Sequence, residues 1–117
     1  MSALLDQLRT MGCDIDGAMG RFLNKEDFYA KIYRKFLVEK SFEALGVSLK
    51  EKNTDDAFRH SHTLKGVCAN MGLTPLLDIV VKIVEPCRAG EYSDDLLKYY
   101  DDLMAEFEKY KALEKLL

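Results

Sequence analysis

The sequence predicts an all-α protein: an up-down antiparallel four-helix bundle with short N-terminal helices capping it. Apolar residues recur at intervals of three and four along nearly every segment. No strand-like alternation bounded by turn dipeptides appears anywhere. Connections at Asn53, Gly72-Leu73 and Gly90–Tyr92 are short, which makes successive helices antiparallel neighbours. Two prolines and seven glycines in 117 residues are too few for a loop-rich β fold. A chain of this length folds as one domain, residues 1–117, around a single core.

The elements follow in order. Leu4, Leu5 and Leu8 lie at helical spacing behind Ser2, a fitting N-cap, and Gly12 ends that first helix. Asp14 or Asp16 opens a second short helix through Phe22, with Ile15, Met19 and Phe22 on one side. Asn24 is the predicted N-cap of a helix from Lys25 to about Lys40, its apolar stripe Phe28, Ile32 and Phe36 broadened by Tyr29, Tyr33 and Leu37. An aromatic stripe of this kind reads as core. Ser41 to Lys52 continues with Phe42, Leu45 and Leu49; a break near Ser41 and a continuous helix are equally allowed, and Gly46 predicts a bend or bulge. Asn53 or Thr54 caps the next helix, Asp55 and Asp56 favour its positive end, and Gly72 ends it. Thr74 caps a helix with Pro75 at its first position, buried through Leu76, Ile79, Val80, Ile83 and Val84, and Pro86 predicts a kink or stop. Ser93 with Asp94 and Asp95 opens the last helix, where Leu96, Tyr99, Tyr100, Leu103, Met104, Phe107 and Tyr110 keep the period.

Charge and cysteine usage narrow the function. The net charge of −3 argues against general nucleic-acid affinity. Three widely spaced cysteines with no C-x-x-C pair read as free thiols of a reducing cytoplasm. The start MSALLDQLRT has no basic region followed by a long apolar run, so no signal peptide is read. No apolar stretch is long enough to insert in a membrane. A cytoplasmic monomer is expected.

The chemistry concentrates between Asp55 and Gly72 (DDAFRHSHTLKGVCANMG). At about 100° per residue, Ala57, Ser61, Leu64, Cys68 and Met71 share one stripe that faces the core. His62, Lys65, Gly66 and Ala69 share another, turned away from it. A mid-helix glycine costs roughly 1 kcal/mol relative to alanine, so Gly66 needs a reason. Beside His62 on its C-terminal side, it lets a large partner approach the imidazole closely. Lys65, one turn after His62, holds an ammonium within reach of a phosphoryl group on the ring. His60 lies near the edge of the core stripe and has no lysine three residues on, so it reads as structural. A metal site on His60 and His62 is disfavoured, because residues two apart do not share a helix face. No orienting aspartate or oxyanion signature marks a hydrolase. A non-catalytic helical adaptor that binds signalling partners is the alternative reading.

His62-Thr63-Leu64-Lys65-Gly66, followed by Ala69-Asn70-Met71-Gly72-Leu73, resembles the signature of histidine phosphotransfer (HPt) domains, H-x-L-K-G-x-x-x-x-x-G. Gly12 to Phe22 (GCDIDGAMGRF) is similar to the G-I-D-x-x-x-x-x-R-F segment of the same family. The order of amphipathic segments matches over nearly the whole chain. The resemblance implies a phosphoryl carrier without kinase activity, phosphorylated on His62 in a multistep His–Asp phosphorelay, with Lys65 and Gly66 supporting. It implies receiver domains of response regulators and hybrid sensor histidine kinases as partners. It implies no cofactor on this chain, Mg²⁺ being supplied by the receiver. Val67, Ala69 and Met71, where not buried, are candidate docking contacts. The position from which some members offer a polar residue to the phosphoryl group falls near Val84, with Lys82 or Arg88 as substitutes.

Overall fold

A computed structural model describes residues 2–117. Among them seven α-helices and a C-terminal 3₁₀ turn follow one another, with no strand. The helices are α1 (Ala3–Thr10), α2 (Ile15–Arg21), α3 (Glu26–Leu37), α4 (Ser41–Lys50), α5 (Thr54–Met71), α6 (Thr74–Arg88) and α7 (Asp95–Lys111), with the turn at Ala112–Leu116. α5 packs between α4 and α6, and α7 packs against both α6 and α4. One contiguous hydrophobic core draws side chains from every helix and from Leu113 in the final turn.

The N-terminal caps are made locally. Ser2 Oγ accepts from Leu5 N–H at 3.1 Å, and Asp14 Oδ1 accepts from Gly17 N–H at 3.1 Å. Asp14, not Asp16, therefore opens α2; Asp16 pairs with Arg9 at 3.0 Å. Asn24 is not the cap of α3. With φ +55° beside Leu23 at +58°, it turns left-handed, and its N–H closes α2 on the Met19 carbonyl at 2.8 Å. Lys25 takes the cap position without a side-chain bond.

The buried stripe of α3 is rotated from the predicted one. Tyr29, Tyr33 and Phe36 are buried, while Phe28 is exposed and Ile32 half-buried. The tyrosines reach partners that aliphatic side chains could not satisfy. Tyr29 donates to the Met71 carbonyl at 2.8 Å and Tyr33 to the Tyr110 carbonyl at 2.7 Å, so their hydroxyls are buried without loss. Phe36 meets Phe42, Phe107 and Tyr110 edge to face.

The chain breaks between α3 and α4, and α4 runs unbroken through Gly46. The predicted bend is absent because that glycine is a seat. A Cβ there would lie 2.6 Å from Tyr100 Cζ, and the Tyr100 hydroxyl donates to the Phe42 carbonyl at 2.8 Å. α6 also departs from prediction. Leu73 is its cap residue without a side-chain bond, and Thr74 is its first residue, which moves Pro75 to the second position. The helix continues past Pro86 to Arg88, since in the last turn a missing N–H forfeits a single intrahelical bond. Cys87 joins its buried side, and Ile79 is only half-buried. Asp94 is the cap residue of α7, without a side-chain bond.

α2 and α5 meet at Gly72, which has φ +71° and accepts from Asp14 N–H at 2.8 Å. A Cβ at Gly72 would collide with the Asp14 carbonyl oxygen and approach Ala18 Cβ to 3.0 Å. Gly72→Ala should therefore lose about 2–4 kcal/mol in urea unfolding, the sum of a left-handed alanine and a displaced helix.

All three cysteines are free and buried. Burial, with the Cys13 charge adding, pushes the Cys68 thiol up to about 12. An unfolded thiol ionises near its ordinary value of 9.0, so the unfolded chain binds fewer protons than the folded one above that pH. The stability held by Cys68 is complete below pH 9 and is lost as pH rises toward 12. Urea midpoints at pH 7, 9 and 10 should fall over the upper interval, and less steeply in Cys68→Ala.

Candidate functional site

α5 is fixed at both ends. Asn53 Oδ1 accepts from Asp56 N–H at 3.0 Å while its amide donates to the Asp56 carboxylate at 2.9 Å. Arg59 pairs with the same carboxylate. At the far end, Arg21 reaches across from α2. Its Nε donates to the Asn70 carbonyl and its Nη2 to the Ala69 carbonyl, both at 2.9 Å. The last helical turn leaves such carbonyls without intrahelical donors; Ala69 also accepts from the Gly72 N–H at 3.3 Å. Sequence reading sees Arg21 only as part of the Gly12–Phe22 segment; its bonds lie nearly fifty residues away and carry no local signal.

Between these ends the predicted stripe is the buried one. Ala57, Ser61, Leu64, Cys68 and Met71 are all buried, and the Ser61 hydroxyl is satisfied by the Phe58 carbonyl at 3.2 Å. His62, Gly66 and Ala69 are exposed and Lys65 is half-buried. The structure thus brings His62, Lys65 and Gly66 to one outward side of the helix. No atom outside the local backbone lies within 4 Å of where a Gly66 Cβ would stand, so packing does not require a glycine there.

His60 lies elsewhere. It is half-buried and lines a groove between α4 and α5 with Lys40, Glu43, Val47, Glu51 and Asp56. Among the described residues no group of three or more His, Cys, Asp or Glu side chains is placed to hold a metal ion. Of the candidate docking contacts, Met71 belongs to the core, Val67 is half-buried and Ala69 is exposed.

One contact within α5, backed from α6, escaped the sequence reading. The Phe58 ring stacks on the His62 imidazole with centroids 5.4 Å apart and planes tilted by 25°. The Arg88 guanidinium lies over Phe58, 4.9 Å from its centroid, and Arg88 Nε pairs with Glu85 at 3.5 Å. Spacing alone puts Phe58 one turn before His62, but an i,i+4 pair reveals no stacking without rotamers. Val84 is fully buried. Lys82 lies over Tyr99 of α7 at 5.6 Å, so of the two substitutes only Arg88 is drawn toward the Phe58–His62 pair.

A family model described as the Hpt domain matches residues 37–110, more than half of the chain. The chain belongs to the Hpt domain family. No curated protein and no solved structure matches it. Hpt domains act in phosphotransfer within His–Asp phosphorelays, together with receiver domains and histidine kinases. The matched span of this Hpt domain contains His62, Lys65, Gly66, Phe58 and Arg88; α1, α2 and most of α3 precede it.

The unpacked Gly66 yields a prediction of sign. Replacing it with alanine relieves backbone entropy in an exposed helix interior and meets no neighbour. Gly66→Ala should therefore raise stability by about 0.5–1 kcal/mol in urea unfolding.

Proposed function

We propose that this chain is a phosphoryl carrier of a His–Asp phosphorelay, charged on His62, with no kinase activity of its own. The observation that carries the reading is the pairing of exposed His62 with exposed, unpacked Gly66 on a helix whose opposite stripe is wholly buried. A side chain missing for no packing reason, beside an imidazole, suits a large partner that must bring a reacting atom to the ring.

The step is a transfer between two residues. A lone pair of the His62 imidazole, at Nε2, attacks the phosphorus of a receiver's aspartyl phosphate. The N–P bond forms as the P–O bond to the aspartate breaks, and the carboxylate leaves with that electron pair. The imidazole proton stays on Nδ1 or passes to water. The reverse step, onto a second receiver's aspartate, restores the free imidazole. Such transfers need positioning and charge neutralisation more than covalent help. Mg²⁺ and most of the catalytic groups belong to the receiver, and Lys65 contributes one cation from this chain.

The pairing of α4, α5, α6 and α7 supports an up-down antiparallel four-helix bundle as the frame. A monomer, with its exposed face free for receivers and hybrid sensor kinases, fits this role, as do unpaired thiols in a reducing cytoplasm. No helix among the described residues is long and apolar enough to cross a membrane.

The test is transfer of label from a radiolabelled, phosphorylated receiver domain. Acid-labile, alkali-stable label should appear on wild type and His60→Gln and be absent from His62→Gln. Lys65→Ala should shorten phosphohistidine half-life or slow transfer by about threefold, the scale of one partly solvated charge pair. Absence of label from wild type across several receivers would leave the adaptor reading in its place.

A further inference from the structure

We propose that Phe58 is a positioning residue for His62: held between the core and the Arg88 guanidinium, its ring backs the imidazole and fixes its orientation. This inference rests on the phosphoryl-carrier reading of His62 and extends it to a residue outside the H-x-x-K-G motif.

An exposed side chain on a helix samples its rotamers in picoseconds to nanoseconds. A histidine that must meet a phosphorus atom in line spends most of those rotamers unproductively. Helical side chains lean toward the helix N-terminus, so His62 leans over the turn that carries Phe58. The two rings face one another at 5.4 Å with a 25° tilt, and His62 stays exposed to solvent. Phe58 is itself restrained. It is half-buried and packs against the core, and Arg88 covers it at 4.9 Å while paired to Glu85. The restraint thus runs from core and α6, through Phe58, to the imidazole.

The two flanks of His62 are opposite in kind. Four residues before it stands a large ring; four residues after it stands no side chain. The ring is supported on the N-terminal side and approachable from the C-terminal side. Pre-orienting one exposed side chain saves entropy that would otherwise be lost at the encounter. An aromatic pair of this geometry corresponds to about a two- to tenfold effect on a rate.

The experiment uses the full chain as wild type, Phe58→Leu and Phe58→Tyr. Leucine keeps an apolar contact with the core and removes the ring; tyrosine keeps the ring. Circular dichroism melts establish that each is folded. Wild type and Phe58→Tyr should show a ring-current shift of the His62 Cδ2 and Cε1 protons by NMR, assigned by its loss in His62→Gln, and Phe58→Leu should lose it. Phosphorylation by phosphoramidate, a small donor with no docking surface, and by a phosphorylated receiver should both slow about two- to tenfold in Phe58→Leu. Phe58→Tyr should restore the rate, and the receiver concentration at half-saturation should not change. Equal rates for wild type and Phe58→Leu would overturn the proposal. So would a loss confined to half-saturation with the receiver, which would make Phe58 a docking contact. A folded wild type labelled by neither donor would overturn the carrier reading itself, a result distinct from labelled wild type with unaffected Phe58→Leu.

Discussion

Every feature of the site depends on the rotational setting of one helix. α5 has five residues in the core along a stripe about a quarter of its circumference wide, and turning it by one residue would bury His62 or expose Leu64. Burial of Leu64, Cys68 and Met71 is worth several kcal/mol together, far more than any surface contact could recover. The exposed face is consequently a by-product of core packing, rigid without bonds of its own. Ends add to this: Asn53 and Asp56 secure the first turn, Gly72 and Arg21 the last. A side chain presented this way needs no pocket to fix the face it occupies.

Three glycines differ in what the structure requires of them. Gly72 is required by backbone conformation and by the closeness of Asp14, and Gly46 by the Tyr100 ring. Gly66 has neither reason, since the space around it is empty. The helix is weaker there than its packing requires, which is what the proposed approach of a partner would explain. His60, by contrast, sits partly buried in the α4–α5 groove, away from Gly66.

The register of α5 was legible because small and apolar residues repeat strictly at helical intervals along one stripe, while the charged residues and both histidines fall off it. The stripe of α3 was not, since six aromatic and aliphatic residues fill both of its possible faces. Long-range bonds decide between them, Tyr29 to Met71 and Tyr33 to Tyr110. Asn24 misled in a related way: the residue type that caps helix starts also tolerates the left-handed turn that ends them, and α2 claimed it first. Pro86 shows the limit of a breaker rule, because a proline in a final turn ends little. Of the site, His62, Lys65 and Gly66 could be read from spacing. Arg88 was a candidate on the neighbouring helix, but its place over Phe58 was not foreseen, and Phe58 and Arg21 could not be read, since their contacts depend on rotamers and on segments distant in sequence.

The side chains that hold α5 from the N-terminal third of the chain bear on where this unit can be cut. The family match starts at Leu37, yet Arg21 and Asp14 bind the end of α5, and Tyr29 and Tyr33 reach the Met71 and Tyr110 carbonyls. An expression fragment trimmed to the matched span would keep every residue of the motif. It would also bare the apolar floor on which α1, α2 and α3 rest. For grafting this Hpt domain onto another protein, the working boundary lies at the start of α1, not at the edge of the recognisable motif.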